Sequence, residues 1–193
     1  LRSILRHDPD TIMIGEIRDR ETMTSALSYA LSGHLVLSTL HANNSYHALS
    51  RIMSFYTPEA RPALLADLGA GLRAIVSQRL LRATAGGRIP AVEVMFNTKL
   101  VSEMIEQGDF SGIREAMEKS MAEGSQTFEQ DIARLITAGT VTREEGLAFA
   151  DSPTNLMWRL QNDMTPISRL TPKAEESEEG ASFTEIMFDA PRE

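Results

Sequence analysis

The sequence predicts an α/β protein: parallel strands and a β-hairpin, then a small all-α subdomain and a disordered acidic tail. Three observations predict it. Two apolar runs without an alternating polar residue, 12–14 and 35–37, flank one amphipathic helical stretch, and unbroken runs of this kind suit strands covered on both faces. Two further strand-like runs, 78–83 and 89–96, are joined through Gly86-Gly87, a hairpin signal. From Thr98 onward the apolar spacing is helical alone.

Taken in order, residues 1–6 read as the end of a helix, with Leu1, Ile4 and Leu5 on one face. Asp8-Pro9-Asp10 breaks it, because a residue before proline is pushed out of the helical region. The first strand ends in Gly15-Glu16, where a small residue frees the backbone and a carboxylate arrives at the strand's C-terminal edge. Ligands sit at that edge in parallel α/β sheets, and a carboxylate there holds magnesium, directly or through water, or polarises a water molecule. On these ten residues alone, a buried strand followed by a solvated turn is the simpler reading.

Asp19 is placed to cap the next helix, with Glu21 favourable in its first turn. That helix carries Met23, Ala26, Leu27, Ala30 and Leu31 on one stripe and stops at Gly33. Strand, helix, strand in this order predicts a right-handed crossover and a parallel pair. After His41, Asn43-Asn44-Ser45 offers capping side chains for a helix containing Ala48, Leu49, Ile52, Met53 and Phe55. Pro58 opens another helix where its missing donor costs nothing. The apolar run continues through Leu64, Leu65, Leu68, Leu72, Ile75 and Val76, weakened by Gly69 and Gly71.

Beyond the hairpin, Leu100-Val101-Met104-Ile105, then Ile113-Met117-Met121, then Phe128-Ile132-Leu135-Ile136 form helical faces punctuated by Gly108, Gly124 and Gly139. Residues 142–145 read as a capping box opening one more short helix. The expected division is therefore 1–97 for the α/β part, 98–163 for the helical subdomain and 164–193 for the tail.

Composition narrows the function classes. With 193 residues there is room for one ordinary domain and a small appendage. Hydrophobic content of 42% and charged content of 24% are ordinary for a globular chain. No apolar run approaches the roughly 20 residues that span a bilayer. The absence of cysteine excludes disulfides and thiolate metal sites. The net charge is −8. From Thr171 onward, 2 basic and 7 acidic side chains supply 5 of those negative charges. That balance argues against a nucleic-acid groove, which needs a concentrated basic face, and the tail reads as solvated and disordered.

The boxes GEIRD (Gly15 to Asp19) and GHLVLSTLHANN (Gly33 to Asn44), with the helix between them, resemble the Walker B and histidine boxes of the secretion ATPases that drive type II secretion and type IV pili. The likeness runs from Leu1 to about Asn162. Within the family, HANN, RPALLADL and VSQRLL look most like the accessory pilus-retraction branch. The resemblance implies the C-terminal half of a RecA-like P-loop ATPase domain, with ATP and Mg2+ as cofactors. It also implies a homo-hexamer, with a paralogous retraction ATPase and the inner-membrane platform protein of the pilus machinery as partners. The expected place is cytoplasmic, on the inner-membrane face of that machinery and membrane-peripheral through its partners.

The phosphate-cradling loop G-x-x-x-x-G-K-[ST] occurs nowhere in the sequence. The family places that loop, and a further acidic box, before Walker B. The expectation is therefore a C-terminal piece of a longer ATPase that does not hydrolyse ATP by itself.

The resemblance assigns roles residue by residue. Glu16 matches the Walker B glutamate, which organises magnesium through a water. Arg18 either faces phosphate or holds the acidic network, and Asp19 either joins the same box or is a helix cap; Gly15 precedes them. His41 follows the second strand, so it shares a sheet edge with Glu16 and is placed to sense the γ-phosphate. His34 precedes that strand and belongs at the opposite edge, where it either serves the histidine box or fixes the helix–strand turn. A metal shared by the two histidines is rejected, since seven strand residues separate them by about 20 Å. Arg79 reads either as a solvated strand edge or, by resemblance, as a contact near the nucleotide's base and sugar.

Export and assembly ATPases of the family commonly insert a tetracysteine module after the QRL segment; here five residues lead directly into the next strand. The retraction branch is favoured on that ground. Its usual AIRNLI helix is replaced by Leu100-Val101-Ser102-Glu103-Met104-Ile105, a departure the accessory branch shares. A third reading is a catalytically silent module docking on a partner ATPase.

Overall fold

Strands β1 (Thr11–Ile14) and β2 (Leu35–Ser38) pair in parallel, Thr11 opposite Leu35 and Ile14 opposite Ser38, with helix α1 (Arg20–Leu31) connecting them. This computed structural model describes residues 9–119 and 122–162. The helix expected over 1–6, Met121 and the acidic tail from 164 lie outside the described residues. The parallel pair agrees with the sequence reading, but its coverage does not. Ile12 and Ile14 are buried while Met13 is 73% exposed, and Leu35 and Leu37 are 52% and 50% exposed. Successive strand side chains alternate between faces, so one face packs under α1 and the other, carrying Met13, Leu35 and Leu37, is exposed among the described residues.

Asp19 caps α1, its Oδ1 accepting from Thr22 N at 2.8 Å. The helix ends where Gly33 takes φ 100°, a left-handed geometry that suits glycine. Helix α2 (Ser45–Ser54) starts at Asn44, whose Oδ1 accepts from His47 N at 2.8 Å. Pro58–Ala60 forms a short 3-10 turn leading into α3 (Arg61–Gly71).

The run expected to continue α3 through Val76 is divided differently. Leu72 is extended, and Ile75 and Val76 belong to strand β3 (Ala74–Arg82). β-Branched residues prefer the pleated conformation. The side chain of Asn97 also donates to Gly69 O and Leu72 O at 2.8 and 2.9 Å, satisfying carbonyls that end the helix. β3 pairs antiparallel with β4 (Arg88–Phe96), Ala74 opposite Phe96 and Arg82 opposite Arg88.

Five helices follow among the described residues: α4 (Lys99–Gln107), α5 (Ile113–Lys119), α6 (Phe128–Thr137), α7 (Arg143–Phe149) and α8 (Pro153–Asn162). α6 opens with a reciprocal capping box between Thr127 and Gln130. The box expected at 142–145 is only half formed. Thr142 caps Glu145 N, but the Glu145 carboxylate turns away to accept from Arg82 N at 2.8 Å.

Apolar side chains gather in two clusters. The first joins β1, α1, α2 and α3 to α4 and α5, through Leu49, Leu68, Val101, Ile105 and Ile113. The second lies between the hairpin and α6 to α8, built from Leu81, Ala91, Phe128, Ile132, Leu135, Val141 and Leu156. Among the described residues, no helix is long and apolar enough to cross a membrane.

Candidate active-site edge

The parallel pairing persists past the ends of β1 and β2. Ile17 N donates to Thr39 O at 2.9 Å, and the Thr39 hydroxyl donates to Gly15 O. These bonds carry the two chain segments out of the sheet side by side. Glu16 and His41 therefore meet at the C-terminal edge, His41 Nε2 lying 3.2 Å from Glu16 Oε1. Arg18 takes the other oxygen, its Nε donating to Oε2 at 2.6 Å with Nη2 at 2.5 Å. The Glu16 side chain is 20% exposed, against 74% for Arg18 and 80% for His41.

Electrostatics keep this carboxylate ionised. The Arg18 hydrogen bond holds the Glu16 carboxyl below its ordinary value. Desolvation works the other way, and the charges of Arg18, His41 and Arg51 reinforce the lowering. The same bond raises Arg18. The arrangement is an anion beside an outward-facing guanidinium and imidazole. Their N–H groups can meet phosphate oxygens, and the anion can order a water or a hydrated cation.

Magnesium typically takes one or two carboxylates together with phosphates and several waters. Among the described residues, no group of three or more His, Cys, Asp or Glu could hold a metal ion. Glu16 is compatible with that pattern as one carboxylate contact, direct or through water.

The other expected residues fall in different places. A Cβ at Gly15 would meet no atom within 4 Å, so packing among the described residues does not demand glycine there. Asp19 is the helix cap of its two readings, and the Thr22 amide bond lowers its carboxyl. His34 stands at the opposite end of β2, where Leu35 N reaches Asp10 O. Its Nδ1 lies 3.0 Å from Ser32 Oγ and 3.2 Å from Tyr29 O, which fixes the helix–strand turn.

Arg79 is not the solvated edge residue that strand alternation suggested. Its side chain is 16% exposed, paired with Asp151 at 2.5 Å and stacked 3.9 Å from the centre of the Phe128 ring. It points from the hairpin to the helical layer, into partners that lie far away in sequence.

Sequence reasoning missed two things here. A groove of about 420 Å³ runs beside His41, lined by Asn43, His47, Ser50, Arg51 and Ser54. His47 and Arg51, four apart on α2, were a legible sign of one basic face. Glu93, only 4% exposed, accepts from Ser45 N at 2.7 Å; nothing in its strand spacing marks it out.

Comparison with known proteins fits this geometry. A family model described as type II/IV secretion system protein matches residues 1–148. The type IV pilus ATPase PilU of Pseudomonas aeruginosa is 41% identical over 176 residues, which is 89% of this chain and 46% of the relative. The type IV pilus retraction ATPase PilT of the same organism is 33% identical over 155 residues, 80% of this chain and 45% of the relative. A crystal structure of the pilus retraction motor PilT with bound ADP superposes with a TM-score of 0.73 at 32% identity, covering 81% of this chain and 44% of that one. The chain spans less than half the length of these relatives. With Glu16 and His41 brought to one sheet edge and the family match running through both boxes, this chain belongs to the type II/IV secretion system protein family.

Proposed function

We propose that this chain is part of a hexameric ATPase that couples ATP hydrolysis to type IV pilus retraction. The observation that carries the reading is the 3.2 Å approach of His41 to Glu16 at the end of two parallel strands. The retraction branch is supported by the names of the similar pilus ATPases. The direct turn between Arg82 and Arg88, which leaves no room for a metal-binding insert, supports it too.

Glu16 stays ionised beside Arg18 and would hold magnesium, directly or through a water. When bound, magnesium neutralises charge on the phosphates. Arg18 and His41 face the terminal phosphate. A phosphate bound there would compete with Glu16 for the His41 ring, so nucleotide state would reach the segment leading into α2. The motor works in the cytoplasm against the inner-membrane platform protein, alongside a paralogous retraction ATPase.

The test is Glu16→Gln in the intact hexameric protein. Nucleotide binding should persist, and hydrolysis should fall by roughly 100-fold or more, the scale of losing a positioned electrostatic group. Hydrolysis at the parent rate removes Glu16 from the mechanism.

A further inference from the structure

Three consecutive residues of the segment leaving His41 are anchored from outside it. Asn43 O accepts from Arg79 Nη2 at 3.2 Å. Asn44 Nδ2 donates to Asp151 Oδ2 at 2.9 Å. Ser45 N donates to the buried Glu93 at 2.7 Å. Arg79 and Asp151 are themselves joined, Nη2 to Oδ1 at 2.5 Å, and Arg79 Nη1 donates to Phe149 O at 2.6 Å. The next residue, Ser152, donates from its amide to Glu129, which is 1% exposed in the second core.

These ties exceed what starting a helix requires. One side-chain acceptor caps an N-terminus, and Asn44 Oδ1 already does so through His47 N. The remaining bonds hold the path of residues 43–45 against the hairpin and against the α7–α8 junction. His41 lies two residues upstream, mostly exposed. A displacement of about 1 Å there takes its 3.2 Å approach to Glu16 beyond the roughly 4 Å limit of a close polar pair.

We propose that Arg79 and Asp151 are positioning residues: they hold His41 against Glu16 and make the α6–α8 layer a determinant of the geometry at that edge. The inference rests on the reading of Glu16 and His41 as the reacting edge. Its physical basis is connectivity. Asp151 bonds the Asn44 side chain directly, and it also orients the guanidinium that holds the Asn43 carbonyl. A rotation of the helical layer therefore reaches the His41 segment through two adjacent residues. The stacking of Arg79 on Phe128 seats the guanidinium against a side chain fully buried in the helical core, so the link is anchored at both ends.

The experiment uses the whole 193-residue chain in solution, without nucleotide. His41 ring resonances and backbone amide exchange are recorded for the parent, Asp151→Asn, Arg79→Lys and Glu16→Gln. In both positioning variants the His41 ring signals should move toward their places in Glu16→Gln. Amide exchange at Ser45 and His47 should quicken at least tenfold, while Ile12 and Val36 in the sheet keep their rates. His41 signals unchanged, with effects confined to amides near Ser152, would overturn the proposal and leave Asp151 a local brace. If Asp151→Asn loses protection at Ile132 and Leu135, the helical layer has opened, and Arg79→Lys, which keeps the charge, decides by the same readout. Since no nucleotide is present, this result stands apart from the Glu16→Gln hydrolysis test.

Discussion

The chain as it stands should bind Mg-ATP no better than about millimolar. The donors at the edge that can meet a phosphate are Arg18 and His41, with Arg51 close enough to act on Glu16 electrostatically. A hydrogen bond involving a charged group contributes about 1.5–3 kcal/mol net. Two of them give about 3–6 kcal/mol before losses. Arg18 is already committed to Glu16 through two nitrogens, so a phosphate must displace an existing partner. An exposed pair of that kind contributes little on its own, and ordering the ligand carries a further cost. Micromolar binding requires about 8 kcal/mol. The missing share is what backbone amides and a lysine of a glycine-rich phosphate loop supply elsewhere, and the sequence contains no such loop. Titration of fluorescently labelled Mg-ATP into the 193-residue chain measures the constant. A low-micromolar value would refute the reasoning, because it would require a phosphate site among residues other than these.

Two further outcomes follow from packing and burial. Gly146→Ala on α7 should destabilise by about 1–2 kcal/mol: overpacking costs about 1–3 kcal/mol, against about 0.5–1 kcal/mol gained in helix propensity. The added Cβ would lie 2.9 Å from Ile132 Cγ2 and 2.5 Å from Ile136 Cδ1, and a Tm lowered by about 2–8 °C is the expected reading; an unchanged Tm would show that the isoleucines give way freely. Burial pushes the Glu93 carboxyl above its ordinary 4.5, so between that value and the raised one the folded chain keeps a proton the unfolded chain has lost, and stability falls as pH rises through this window. Glu93→Gln keeps an oxygen for Ser45 N, and its Tm should lack that fall when both chains are scanned from pH 4.5 to neutrality.

The site was legible where function follows from chain order. Residues that leave adjacent parallel strands arrive at one edge, so Glu16 and His41 were placed together from spacing alone, and His34 was placed at the other end. The caps at Asp19 and Asn44 were equally readable, since a cap is a local device spanning three residues. Arg79 was not readable. Its partners Asn43, Phe128 and Asp151 lie 36, 49 and 72 positions away, and strand alternation says only which face a side chain takes. The end of α3 was obscured for a related reason. Leu72, Ile75 and Val76 extend a helical apolar pattern, while the bonds that close the helix come from Asn97, on the far side of the hairpin. The open face at Met13, Leu35 and Leu37 escaped because an unbroken apolar run states a need for cover, not its presence.

The distribution of burial separates chemistry from folding in this chain. Glu16, Arg18 and His41 stand outside both apolar clusters, and Arg18 and His41 are mostly exposed. Substituting them removes little buried surface, so their loss should register in ligand and phosphate chemistry before it registers in Tm. Glu93, Arg79 and Glu129 are buried or nearly so, in a region where leaving one partner unmatched costs about 1–3 kcal/mol. Those residues cannot be changed without disturbing packing, and Arg79 and Glu93, through Asn43 and Ser45, also touch the segment that carries His41. A stability change at Arg79 or Asp151 therefore does not argue against a role at the edge. Only a readout at His41 itself separates the two, because the same bonds serve both the fold and the placement of the imidazole.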